Sequence, residues 1–208
     1  MTRMVIASNN PKKRDELTAA LTPHVPGVTV LTMADVHVDS PVEDADSFVG
    51  NALIKARHCV EKTGLAALAD DSGLVVDVLD GAPGVYSARY AGDGATDADN
   101  NQQLLKNLAG LSGPFRAAFH AAVVFLTPDG EEHVATATMP GVIKTTARGT
   151  NGFGYDPLFY ADAYDNRVSN AELTATEKLA ISHRGQALTD LLPVIARHVT
   201  QTSQTPPG

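Results

Sequence analysis

Short apolar runs alternate with helix-like segments along the first half of the chain, and this alternation constrains the fold more than any other feature. The apolar runs are Met4 to Ala7, Val28 to Thr32 and Gly73 to Leu79. This order favours an α/β fold over an all-α or all-β fold. A longer apolar run from Phe115 to Thr127 ends at Pro128-Asp129-Gly130, and Glu131 to Met139 then alternates. This pair predicts an antiparallel hairpin, so we expect a mixed sheet.

Helical spacing predicts three helices in the first half of the chain. They are Pro11 to Leu21, Ser47 to Thr63 and Asp97 to Leu108, with Asp46 or Ser47 as the cap of the second. In the second helix, apolar residues recur at helical spacing and are expected to face the core. Asn51 and Lys55 lie one turn apart on a flank of the same helix.

The last third of the chain carries weaker helix signals. Thr174 and Glu177 fit a capping box and predict a helix toward Ser182, which Gly185 interrupts. A final helix is predicted over 186–199, with a kink or break at Pro193. We expect a single domain over residues 1–199 and a disordered tail over residues 200–208.

Size and charge limit the possible functions. A chain of 208 residues can form one compact domain or two lobes around a cleft. We expect an α/β fold with a mixed, twisted central sheet flanked by helices, in two lobes with the active site in the cleft between them. The formal net charge of −8 argues against binding to duplex nucleic acid.

The sequence also bears on the compartment. No apolar run approaches the roughly 20 residues of a membrane helix, and the start does not have the pattern of a signal peptide, so we expect no membrane association and a cytoplasmic location. Cys59, the single cysteine, excludes an intrachain disulfide and is expected to be a buried structural thiol.

Two adjacent carboxylates, Asp70 and Asp71, follow the apolar residues 66–69. Acids at such a position are costly to bury without a partner, and a Mg²⁺ ion would remove that cost and act as a Lewis acid. Glu43, just before a predicted helix, is a candidate further ligand. The alternative is a helix or turn cap, because Asp-Ser-Gly is also common in turns.

The segment from Ser8 to Lys13 joins a predicted strand to a predicted helix. The residues that we expect to contact phosphate here are Ser8, Asn9, Asn10, Pro11, Lys12 and Lys13. A helix start favours anions through its free N–H groups and dipole, and lysines add charge. The segment lacks the P-loop pattern, and a solvated turn remains the alternative. Together with the metal candidates, it makes a nucleoside triphosphate the first substrate class to consider.

A glycine-rich stretch near the C-terminal third is a candidate base pocket. Gly149 to Pro157 places three glycines around two aromatic residues, which suits a backbone that approaches a flat ring closely. Phe153 or Tyr155 could stack a base, unless both fill the core. His183 and Arg184 lie near a helix end and could project into a cleft, with a surface pair as the alternative.

These segments together resemble the inosine/xanthosine triphosphate pyrophosphatase family, which removes deaminated purine nucleotides. The matching stretches are Ala7 to Leu17, Ser47 to Ala56, Ala69 to Gly73, Gly81 to Tyr90, Gly152 to Pro157 and Glu172 to Gly185. They occur in order over nearly the whole chain, and the combination is specific although each stretch alone is weak.

The resemblance implies roles for individual residues. Asp71 matches the catalytic acid that ligates Mg²⁺ together with Glu43, and Lys55 matches a phosphate-facing catalytic lysine. Ser72 and the Ser8 to Lys13 segment match substrate contacts. The residues that match the nucleoside pocket are Phe153, Gly154, Tyr155, Asp156, Lys178, His183 and Arg184.

Two positions depart from the family pattern. Gly50 stands where a glutamate is common before the asparagine of the second helix. Asn9 replaces a loop glycine, in a backbone conformation that asparagine can also adopt.

The activity implied by the resemblance is Mg²⁺-dependent hydrolysis of ITP, dITP or XTP to the monophosphate and pyrophosphate, by a homodimer. The 6-carbonyl of hypoxanthine and xanthine would satisfy donors from Arg184, His183 or the loop, whereas the amino group of adenine would leave them unpaired. One alternative is a different enzyme, either a pyrophosphatase for modified pyrimidine nucleotides or a more general nucleotide phosphatase. The other is a nucleotide sensor that binds without turnover.

Overall fold

The computed structural model describes residues 2–204 and contains one six-stranded sheet. The strands are β1 (Thr2–Ile6), β2 (Val28–Thr32), β3 (Ala66–Val76), β4 (Phe115–Leu126), β5 (Glu132–Ile143) and β6 (Phe159–Ala161). The α-helices are α1 (Pro11–Leu21), α2 (Phe48–Thr63), α3 (Asp97–Leu108), α4 (Ala175–Ile181) and α5 (His183–Gln204). Short 3₁₀ helices cover Asp77–Leu79, Gly84–Arg89, Asp162–Tyr164 and Asn170–Glu172.

The sheet is mixed, as predicted. Its strand order is β2-β1-β3-β4-β5-β6. β1 pairs in parallel with β2 and β3, so that Met4 lies opposite Val30 on one side and Ala66 on the other. β5 and β6 are antiparallel, with Val142 opposite Tyr160. The five residues that join neighbouring strands β4 and β5 are too few for a parallel crossover, which confirms the predicted hairpin.

The chain divides into two compact units. Among the described residues, unit 1 comprises 2–71, 122–137 and 184–204, and unit 2 comprises 72–121 and 138–183. Strands β3, β4 and β5 therefore contribute residues to both units. The single domain expected over 1–199 stays a prediction.

Unit 1 has a core on each face of its strands because side chains alternate along β1 and β3. Met4 and Ile6 pack in one core with Leu17 of α1 and the apolar face of α5. Val5 and Ala7 pack in the other with Ala52, Ala56 and Cys59 of α2. Helices thus cover both faces, which is the arrangement expected for an α/β fold.

Unit 2 has one core. Helix α3 contributes Leu104 and Leu108, β4 contributes Phe119, and β6 contributes Phe159. Phe119 and Phe159 contact each other with ring centroids 4.6 Å apart. Among the described residues, no helix has the length and apolar character needed to cross a membrane.

Local signals placed most helices correctly. α1 and α3 have the predicted bounds, Ser47 caps α2, and the capping box of Thr174 and Glu177 begins α4. β3, however, begins at Ala66 rather than Gly73, so Asp70 and Asp71 lie inside a strand. Strand pairing of 66–68 with β1 accounts for the earlier start.

The predicted C-terminal helix is present but longer than expected. α5 is continuous from His183 to Gln204, so Gly185 does not interrupt it, Pro193 does not break it, and the predicted tail begins inside it. The buried residues Leu188, Leu191, Ile195 and Val199 keep helical spacing past Pro193. Packing of this stripe outweighs the local helix-breaking signals. Residues 205–208 of the predicted tail lie outside the described residues.

Candidate active site

The start of α1 is built by the residues that were predicted to contact phosphate. Asn10 caps the helix, since its side-chain oxygen accepts from the N–H groups of Lys12 and Lys13 at 3.0 and 3.3 Å. Pro11 occupies the first helical position, where no N–H is needed. Asn9 is not among the described residues with positive φ, so the missing glycine causes no backbone strain. The Asn9 amide donates to Ser40 Oγ.

Asp70 is the centre of a buried charge cluster in unit 1. Its side chain is fully buried, with Arg184 Nε donating to Oδ2 at 2.9 Å and Lys13 Nζ 3.6 Å away. Arg184 also forms an ion pair with Glu16. Burial alone raises the pKa of Asp70, but the charges of Arg184 and Lys13 outweigh it and hold the pKa well below its usual value. Asp70 is therefore ionised, and its partners are fixed.

Lys55 joins two further carboxylates in the same unit. Its ammonium donates to Glu43 Oε2 at 2.8 Å and to Asp71 Oδ1 at 3.2 Å. Burial alone lowers the pKa of Lys55, but the surrounding carboxylates, led by Asp71, raise it above its usual value. Burial raises the pKa of Asp71 more than Lys55 lowers it. Asp71 thus differs from Asp70, because its carboxylate is costly to keep charged.

Asn51 links Asp71 to the loop that contains Glu43. Its Nδ2 donates to Asp71 Oδ2 at 3.2 Å, and its Oδ1 accepts from the N–H of Ala45 at 3.0 Å. Gly50 lets this loop approach, since a Cβ there would lie 2.6 Å from Ala45 Cβ. The glycine that departs from the family pattern is thus required by the close packing of this loop.

The acids of unit 1 fit a hard divalent cation. Glu43 and Asp71 already converge on one cationic nitrogen. The other oxygen of Asp70, Oδ1, is buried and has no hydrogen-bond partner within residues 2–204. Among residues 2–204, no group of three or more His, Cys, Asp or Glu side chains is placed to hold a metal. Mg²⁺ commonly binds through one or two carboxylates, waters and substrate phosphates, which suits this donor set.

Asp156 organises a second cluster, in unit 2. Its Oδ2 accepts from Lys178 Nζ at 2.6 Å and from the N–H of Phe153 at 2.8 Å. Asn170 donates to its other oxygen. Gly152, with φ of +73°, has no room for a Cβ beside this carboxylate. Asp156 therefore holds the glycine-rich loop in place.

The aromatic residues of unit 2 differ in position. Phe153 is half-buried, and the Lys178 ammonium lies 4.6 Å from the centre of its ring. Tyr155 is buried in the core, where its hydroxyl donates to Ser87 O at 2.8 Å. Burial raises the pKa of Tyr155. His183 is buried and stacks on Phe119 with ring centroids 5.1 Å apart and planes within 7°.

The structure brings together many of the predicted site residues within each unit. Those of unit 1 are Lys13, Glu43, Lys55, Asp71 and Arg184, and those of unit 2 are Phe153, Asp156 and Lys178. Arg184 was expected beside the nucleoside, but its Nε and Nη1 contact Asp70 and Glu16. Tyr155 is a core residue. Ser8 is buried, where its Oγ accepts from the N–H of Asn10 at 3.3 Å, and Ser72 is half-buried in β3.

Sequence reasoning missed several partners of these residues. Glu16 lies one turn after Lys13 on α1, a spacing that could have identified it. Phe119 and Asn170 carry no such local signal, because they contact His183 and Asp156 from distant parts of the chain.

Comparisons with known proteins identify the family to which the chain belongs. The model of the Ham1 family matches residues 4–194. A "dITP/XTP pyrophosphatase" of Shigella flexneri is 46% identical over 198 residues, which cover 94% of this chain and 98% of that protein. The structure of a HAM1 protein from Coxiella burnetii has a TM-score of 0.84 and 40% identity, covering 95% of this chain and all of that chain. The structure of a nucleoside-triphosphatase / dITP/XTP pyrophosphatase from Mycobacterium abscessus has a TM-score of 0.73 and 44% identity. The match covers 92% of this chain and 100% of that chain.

Proposed function

Because the chain belongs to the Ham1 family, we propose that it hydrolyses deaminated purine nucleoside triphosphates. Its substrates are ITP, dITP and XTP, and its products are the nucleoside monophosphate and pyrophosphate. The observation that carries this proposal is the buried Lys55 ammonium between Glu43 and Asp71, in a chain 46% identical to a dITP/XTP pyrophosphatase. The proposal includes a homodimer in the cytoplasm.

Asp71 and Glu43 are the residues that would hold Mg²⁺, and a bound ion would neutralise phosphate oxygens and favour attack on phosphorus. Lys55 and Lys13 supply positive charge for the pyrophosphate as it leaves. The lysines at the start of α1 bind the remaining phosphate oxygens, and the helix dipole favours their negative charge.

Asp71 also suits proton transfer. Burial raises its pKa, and an aspartate carboxylate can act as a general base. Asn51 donates to Oδ2 and Lys55 donates to Oδ1, so the orientation of the carboxylate is fixed. We assign to Asp71 the task of orienting the attacking water and accepting its proton.

Unit 2 recognises the nucleoside in this proposal. The half-buried ring of Phe153 stacks the base, and Asp156 and Lys178 fix the loop around it. Donors from His183 and the loop select a 6-carbonyl over the 6-amino group of adenine, because an unpaired buried donor costs about 1–3 kcal/mol. With Nε and Nη1 of Arg184 engaged by acids, its main role is to hold Asp70.

A product assay tests the proposal. ITP, XTP, ATP and GTP are incubated with and without Mg²⁺, and pyrophosphate is measured separately from orthophosphate. We expect pyrophosphate from ITP and XTP, no turnover after chelation of the metal, and a loss in kcat of about 100-fold or more for Asp71→Asn. Asp190→Asn, an exposed acid on α5, is the matched control. Orthophosphate release, equal rates on ATP, or full activity of Asp71→Asn would contradict the proposal.

A further inference from the structure

Two side chains of α3 bind the backbone of Gly154, in the glycine-rich loop of unit 2. The N–H of Gly154 donates to Asp97 Oδ2 at 2.8 Å. The amide of Asn101 donates to Gly154 O at 2.7 Å. Both backbone polar groups of Gly154 are thus bound by side chains more than 50 residues away in the chain.

The helix itself stabilises these two hydrogen bonds. Asp97 and Asn101 lie one turn apart, and Asn101 also donates to the carbonyl of Asp97 at 2.7 Å. Thr96 and Asp99 form a capping box that holds this first turn. The side chains of Asp97 and Asn101 therefore have a fixed spacing, set by a helix that packs in the core of unit 2.

The two hydrogen bonds at Gly154 determine the position of Phe153. Its own N–H donates to Asp156, and the next residue is held by α3, so the backbone is fastened on both sides of the aromatic ring. Gly154 has φ of +60°, a conformation that an unrestrained loop can leave. Without α3, both hydrogen bonds at Gly154 would be lost, while the hydrogen bond from Phe153 to Asp156 would remain.

We propose that Asp97 and Asn101 are positioning residues that determine base selectivity through Phe153. This inference rests on the proposed function, in which that ring stacks the purine. Neither side chain needs to touch the substrate. Stacking sets where position 6 of the purine lies, so a shifted ring loses the difference between a carbonyl and an amino group at that position.

The test compares Asp97→Ala and Asn101→Ala with two controls on the same helix. Gln102→Ala changes an exposed neighbour. Asp99→Ala weakens the start of α3 while keeping the side chains of Asp97 and Asn101. KM and kcat are measured for ITP and ATP, together with inhibition by inorganic triphosphate, which has no base. Thermal unfolding and exchange of the Gly154 amide are recorded for each variant.

We expect Asp97→Ala and Asn101→Ala to raise KM for ITP about tenfold and to lower the preference for ITP over ATP by a similar factor. Inhibition by triphosphate should change less than about twofold, and exchange of the Gly154 amide should accelerate in Asp97→Ala. Asp97→Asn keeps an acceptor oxygen and should restore most of the selectivity.

Two results separate the possible failures. A wild type that does not prefer ITP would overturn the proposed function, and this role with it. A selective wild type whose Asp97→Ala and Asn101→Ala variants behave like Gln102→Ala would overturn the positioning role alone. Equal losses in ITP binding and triphosphate inhibition would also overturn it, because they indicate a general structural defect.

Discussion

Neutralising Asp70 should destabilise the fold far more than neutralising Asp71, although the two residues are adjacent. Asp70 is fully buried and bound to Arg184 and Lys13, and its pKa is lowered because those charges outweigh burial. Asp71 has a raised pKa because burial outweighs the attraction of Lys55. The charged form of Asp70 therefore stabilises the fold, and the charged form of Asp71 opposes it.

The loss of stability in Asp70→Asn depends on which ion pairs remain in the cluster. Removing one partner of a buried ion pair costs about 3–5 kcal/mol. Arg184 keeps Glu16, so we take the lower end, about 3 kcal/mol. For a chain of this length that corresponds to a fall in Tm of about 6–12 °C. Asp71→Asn removes a charge that burial disfavours and leaves Lys55 paired with Glu43, so it should change the free energy of unfolding by less than about 1 kcal/mol.

Urea unfolding of both variants and the wild type, at several pH values, measures these differences. The stabilisation by Asp70 is complete above the ordinary pKa of 3.8 and is lost as the pH falls below it through the lowered folded pKa. The gap between wild type and Asp70→Asn should therefore persist to about pH 4 and shrink at lower pH. Equal stability of Asp70→Asn and the wild type at pH 7, or an equal loss in Asp71→Asn, would refute this account.

Three further predictions concern packing. Gly50→Ala should cost about 1–3 kcal/mol and weaken Mg²⁺-dependent activity, since its Cβ would meet Ala45; urea unfolding and a metal titration measure both, and unchanged values would contradict the tight packing. Burial raises the pKa of Cys59 to about 11, so the native thiol should resist alkylation at pH 8 and react after unfolding. Tyr155→Phe should cost about 1–2 kcal/mol by leaving Ser87 O without this donor, with KM for ITP unchanged; a large rise in KM would indicate direct contact of Tyr155 with the base.

Local sequence signals determined much of the fold. The bounds of α1 and α3, the cap of α2 and the capping box of α4 all depend on residues within one or two turns, so the sequence alone could identify them. The hairpin of β4 and β5 likewise follows from a local turn signal. The acids and lysines of the candidate site were also visible, because their charge is unusual beside apolar runs.

Tertiary structure decided what those signals left open. α5 passes through Gly185 and Pro193 because its apolar face packs in the core of unit 1. Asp70 and Asp71 are equivalent in the sequence, and their pKa values move in opposite directions because Asp70 is bound by Arg184 from the other end of the chain and lies near Lys13. Electrostatic energy depends on distance in space and on burial, and neither can be read from sequence spacing.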